Sequence, residues 1–165
     1  MWYDPAMVVL FARFVSILLA GLVAGATVCV LLIERSLPDS GSFYVLYKQR
    51  MVQALTVPLP LFAAISVVAL LLDAWFLWRD PAGSRLCLGL AVGGVALLVA
   101  GGVVTKAGHF PINDQIATWS SATPPATWAA VQAKWATFHM VRTTVSTLAF
   151  ATVILANLMR AALPG

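Results

Sequence analysis

Between Thr127 and Thr147 the sequence sets Trp128, Gln132, Trp135, His139, Arg142 and Ser146 at steps of three or four residues. The stretch lacks Pro and Gly, follows Pro124-Pro125 and offers Thr127 as a cap, so it reads as a helix with all six residues on one face. Lys134, Phe138, Val141 and Val145 fall on another face. His139 and Arg142, three residues apart, can therefore touch one small molecule together. An imidazole moves protons near neutral pH, and a guanidinium holds a developing anion.

Two other segments carry polar groups toward the same region. Gln49, Gln53 and Thr56 are spaced by four and three residues, with Tyr47 and Arg50 beside them. Facing lipid tails would be costly for them, so Gln53 and Thr56 are expected to face the protein interior, while Lys48 and Arg50 are expected at the headgroups. The run from Thr105 to Trp119 contains His109, Pro111, Asn113 and Asp114. Pro111 is expected to end or interrupt a helix there, with Asn113 or Asp114 capping a short new one folded over the bundle mouth. Ser120 to Thr127 is a connector.

A metal offers a competing chemistry. Glu34, His109 and His139 supply two imidazoles and a carboxylate, a known set for non-haem iron, with copper also open. They come from three segments without a close ligand motif, so the cofactor is either none or such an ion. A purely structural reading also stands, in which Arg142 pairs with Asp114 or Glu34 and His139 caps a neighbouring helix.

These residues must be positioned by membrane helices. The chain has 165 residues, 61% hydrophobic and 10% charged, where a soluble domain carries about 25% charged residues. Apolar stretches at residues 7–33, 51–78, 86–104 and 143–163 each suffice for a bilayer crossing of about 20 residues, and one all-α, antiparallel four-helix transmembrane bundle comprising residues 1–165 is expected. The first stretch is too long for a signal-peptide core and follows Asp4 rather than a basic leader, so it reads as a retained span. Arg13 lies near enough to its start to snorkel. Arg79 to Arg85 is a tight polar turn that makes spans two and three antiparallel neighbours. An even number of spans puts both termini and this turn on one side and the two long connections, with all the unusual chemistry, on the other. If the helix from Thr127 continues into span four, its roughly 35 residues measure about 52 Å and project past the membrane on that loop side.

Lys and Arg number six on the loop side and four on the terminal side, which turns the long connections to the cytoplasm of a plasma or inner membrane. Cys29 and Cys87 are separated by most of the bilayer, too far for a disulfide. Gly21-x3-Gly25 and Gly89-x3-Gly93, with Gly94, Gly101 and Gly102 further along, point to close helix packing within the chain, with self-association as the other use of such faces. Pro58 and Pro60 are expected to kink the second span and open space at its loop-side end. Trp2, Tyr3, Trp75 and Trp78 on one side, and Tyr44 and Tyr47 on the other, read as interface anchors. The net charge of +4 comes without a basic run, which argues against nucleic-acid binding, and no span carries the full line of charges a channel would use.

Pro111-Ile112-Asn113, Trp119, Trp135 and His139-x-x-Arg142-Thr143 at the head of the last span resemble the anthrone oxygenase-like family of four-span membrane proteins. The resemblance implies oxidation of a lipophilic aromatic or polyketide-like substrate by molecular oxygen. On that reading His139 is the base that forms the carbanion, Arg142 stabilises the oxyanion, Asn113 adds a hydrogen bond, and Trp119, Trp128 and Trp135 form an aromatic wall, with Gln53 and Thr56 also toward the substrate. The partners implied are the bilayer and a lipophilic small molecule. The alternative class is a non-enzymatic membrane protein, either a carrier of hydrophobic ligands or a subunit of a larger complex.

Overall fold

A computed structural model describes residues 5–79 and 84–162. Its elements are α1 (Pro5–Ser36), α2 (Gly41–Leu55), α3 (Pro58–Arg79), α4 (Arg85–Val104), a π-helical turn (Thr105–His109), α5 (Phe110–Ala117) and α6 (Trp128–Ala162). Four helical runs, Ala6–Ser36, Gly41–Arg79, Arg85–Ala117 and Trp128–Arg160, are long and apolar enough to cross a bilayer. The chain is thus an all-α integral membrane protein. Neighbours in the bundle are α1 with α3, α3 with α4, α4 with α6 and α6 with α1, so consecutive spans pack antiparallel around a ring. The expected anchors Trp2 and Tyr3, the turn residues Asp80 to Gly83 and the end of span four at Leu163 lie outside the described residues.

Close approach of α1 and α4 to α6 depends on small residues among those anticipated. A Cβ at Gly94 would meet Val153 at 3.2 Å and one at Gly21 would meet Phe150 at 3.0 Å, whereas Gly25 and Gly89 face open space. Span two is interrupted just before its prolines. Thr56 and Val57 separate α2 from α3, and both Pro58 and Pro60 sit in the first turn of α3, where a missing N–H leaves no helical bond unmade. On the loop side of this joint α2 packs on α5.

Several expectations are corrected. Arg13 does not snorkel: its Nε binds Asp73 Oδ1 at 2.9 Å, and Arg160 Nη1 binds the same oxygen at 3.3 Å, joining α1, α3 and α6 at the terminal side. Lys48 does not reach the headgroups. Its α2 face also carries Gly41, Tyr44 and Val45, all buried, and its ammonium pairs with Glu34 of α1. Tyr44 belongs to the same core, packed on Trp128, and is no interface anchor. Pro111 does not break the helix. The run from Arg85 continues to Ala117 because the Phe110 N–H reaches back to Thr105 O in a wider π-helical turn, which makes room for the proline ring. Asn113 and Asp114 accordingly lie inside α5 rather than capping it.

The Asp73 cluster and the π-helical turn each yield a stability expectation. Asp73→Ala removes the acceptor that Arg13 and Arg160 share in a largely apolar setting, and a loss of about 3–5 kcal/mol is expected, read as a lower melting temperature in detergent. Gly108→Ala places a Cβ 2.5 Å from the Phe138 ring, an overpacking expected to cost about 1–3 kcal/mol. Gly102→Ala is the control, since a Cβ there meets nothing within 4 Å; equal melting of the two variants would contradict the packing described.

Candidate functional site

The stripe on α6 is the inward face of the helix: Trp135, His139 and Ser146 are buried and Arg142 nearly so, while Lys134 and Val141 are exposed. His139 is held at both nitrogens. Its Nε2 lies 3.0 Å from the Thr27 carbonyl of α1, and Arg142 Nη2 lies 2.9 Å from its Nδ1. A guanidinium only donates, so Nδ1 is the acceptor and Nε2–H donates to Thr27. The imidazole is thereby fixed as one neutral tautomer whose lone pair is occupied by Arg142. Thr143 points its hydroxyl at the same carbonyl, at 3.5 Å.

Trp135 is the centre of the aromatic packing. It stacks on His139 with ring centroids 4.7 Å apart, meets the edge of His109 at 4.8 Å, and donates from Nε1 to Asn113 Oδ1 at 3.0 Å. The Lys48 ammonium lies over its ring, a cation–π contact made in a desolvated place. The Lys48–Glu34 pair thus joins α1 and α2 beside the tryptophan that touches both imidazoles. Gln49 supports the end of α5 from the same side by donating to the carbonyls of Ile116 and Trp119 at 3.1 and 3.0 Å.

His109 comes from the π-helical turn and is 1% exposed. Neither of its ring nitrogens makes a hydrogen bond, although the Val104 carbonyl lies near the ring, and Arg142 Nε is likewise unpartnered. Both side chains line a cavity of about 180 Å³ at the loop-side end of the bundle, together with Thr27, Asn113, Trp135 and Ser146 among mostly aliphatic neighbours. Thr56, Pro60, Gly102 and Phe110 line it too and are exposed, so it opens on the flank of the bundle between the α2–α3 joint and the end of α4. Among the described residues no carboxylate pairs with Arg142: Glu34 pairs with Lys48, Asp73 with Arg13 and Arg160, and Asp114 is exposed.

The structure brings together His109, His139, Arg142, Asn113 and Trp135 and places Thr56 on the rim. It does not bring Trp119 or Trp128 to the cavity; these pack in the core above it, and Gln53 is exposed. The two imidazoles lie at one end of the bundle as expected, with centroids 6.0 Å apart. Glu34 does not join them, because Lys48 occupies its carboxylate, and among the described residues no three His, Cys, Asp or Glu are grouped as metal ligands would be. Sequence reasoning missed Lys48 and Thr27. The first was signalled by its spacing with Gly41, Tyr44 and Val45 on one helical face; the second acts through a backbone carbonyl, which any residue type supplies.

Residues 43–152 match the anthrone oxygenase family, a stretch that contains Lys48, His109, Asn113, Trp135, His139 and Arg142. No curated protein and no solved structure matches the chain. Thr27 and Glu34 of α1, which complete the network around His139 and Lys48, precede the matched stretch. With about two thirds of its length matched, and four helices apolar and long enough to span a membrane, the chain belongs to the anthrone oxygenase family.

Proposed function

We propose that the protein oxidises a lipophilic, anthrone-like aromatic with molecular oxygen, taking it from the bilayer. The observation that carries this reading is Arg142: a buried guanidinium bonded to a neutral imidazole, without a carboxylate, on the wall of a mostly apolar cavity. A buried unpaired cation is costly unless something neutralises it. A substrate that becomes an anion during turnover is suited to that place.

An anthrone has an acidic methylene across the ring from its ketone. His109, whose nitrogens are not committed to the protein, removes one methylene proton, and the negative charge spreads to the ketone oxygen facing Arg142. His139 acts by positioning Arg142 and is not the base here, since its lone pair already accepts from that residue. The carbanion passes one electron to oxygen, and the resulting radical and superoxide combine to form a C–O bond. The peroxide takes up the proton held by His109; loss of the remaining C–H proton then breaks the O–O bond, leaving a ketone and releasing hydroxide, which becomes water. One substrate and one oxygen molecule give one quinone and one water. At about 180 Å³ the cavity is smaller than the roughly 300 Å³ at which sites for whole drug-sized ligands begin, so a flat three-ring substrate enters edge-first, with its far ring in the flank opening.

Purified protein is expected to consume one oxygen per quinone formed from a hydroxylated anthrone, with the rate unchanged by chelator. Binding without oxygen uptake would favour the carrier reading, and loss of activity on chelation restored by iron or copper would replace the base mechanism. His109→Ala and Arg142→Ala are each expected to lower kcat by about 100-fold or more, with Lys134→Ala, on the exposed face, as the unaffected control. Added imidazole is expected to restore part of the activity of His109→Ala and none of that of His139→Ala; the reverse pattern would return the base role to His139.

A further inference from the structure

Behind the main cavity, on the loop side, lies a second hollow of about 220 Å³ between α2 and α5. Its character differs. Lys48, Gln49, Gln53 and Asn113 contribute to its wall, and Gln53 and Ala117 are exposed at its mouth. The helices that bound it are the least apolar part of the membrane-spanning runs: α2 carries Lys48, Gln49, Arg50 and Gln53, and α5 carries Asn113, Asp114 and Gln115. Val52 and Asn113 line both hollows. Two side chains, one of them an amide, are thus common to the walls of the apolar cavity that opens on the flank and of this less apolar hollow between α2 and α5.

We infer that the hollow is a water-filled vestibule, and that the site has two doors: substrate enters through the flank, while water and protons pass to the loop-side aqueous phase beside Asn113. This rests on the oxidase reading only for what leaves, since that reaction releases water from a site the substrate itself closes on the flank. A hollow of this size holds ordered water when several hydrogen-bonding groups line it, and here Lys48, Gln49, Gln53 and Asn113 do, with Gln53 exposed to the outside. The Trp135 N–H, by holding Asn113 Oδ1, orients the amide common to the two walls.

The test does not depend on turnover. In a Cys29→Ala/Cys87→Ala background in nanodiscs, Asn113→Cys reports access to the shared wall, and Val52→Cys is the second reporter should loss of the Trp135 contact unfold the first. A permanently charged methanethiosulfonate and a bilayer-partitioned aromatic maleimide probe the two doors. Ala117→Trp plugs the vestibule, and Gly102→Trp plugs the flank where a side chain meets open space. The charged reagent is expected to label the reporter, to lose that labelling with Ala117→Trp and to keep it with Gly102→Trp, while the lipophilic reagent shows the opposite pattern. Failure of the charged reagent at both reporters, indifference to Ala117→Trp, or loss of its labelling with Gly102→Trp would overturn the second door. Each of these outcomes stands whether or not the protein consumes oxygen.

Discussion

Charge inside an apolar bundle has to be balanced, and the architecture follows from how that is done. Among the described residues, two of the three buried charged clusters are closed within the protein. Asp73 accepts from Arg13 and Arg160 and ties three spans at the terminal side, and Glu34 holds Lys48 and ties α1 to α2 at the loop side. The third is left open. Arg142 is given a neutral imidazole in place of a carboxylate, and that imidazole is neutral because the Thr27 carbonyl and Arg142 claim both of its nitrogens. Each closed pair thus serves the open one: the first fixes the spans, the second presses Trp135 against His139, and the guanidinium is left aimed at a cavity without a resident counterion.

In the proposed mechanism the division of labour between the two histidines follows from local backbone. His139 is deep on α6, a regular helix, where its neighbours fix it on both edges. His109 sits in a π-helical turn, where the backbone is wider and the ring meets aromatic edges of Trp135 and Phe138 rather than hydrogen-bonding groups. Regular structure favours a positioning role, and irregular structure leaves a side chain uncommitted. This matches the general association of π-helical turns with functional sites.

Much of this was legible in the sequence. Four apolar runs gave the spans, the steps of three and four from Trp128 to Ser146 gave the inward face of α6, and the even number of spans put both histidines at one end. Two kinds of feature were not legible. Lys48 has neighbours along the chain that suit either water or a partner, and Asp73 lies in an apolar run that does not name its partner; only the fold brings Glu34 to the first and Arg13 and Arg160 to the second. The choice between the histidines turned on a carbonyl of α1 and on the exchange of a proline break for a π-helical turn, and neither the hydrophobic pattern nor residue type records a backbone bond to a helix far away in sequence.

The π-helical turn also fixes the direction in which α5 looks. In an unbroken α-helix Leu98 and Ile116, about five full turns apart, would lie along the same line, and α5 would face the bundle axis that Leu98 faces from α4. The turn holds one residue more than an α-helical turn spanning the same rise, so everything after it is rotated by about 100°. Ile112 and Ile116 therefore meet Tyr44 and Val45 of α2, and Asn113 is brought to the seam between the two hollows. The segment acts as a register shifter: a chain one residue shorter between Thr105 and His109 would keep its four spans and its apolar content, yet present a different side of α5 to the site. Length at this point in the sequence, rather than the identity of any one side chain, decides whether the lid faces its bundle.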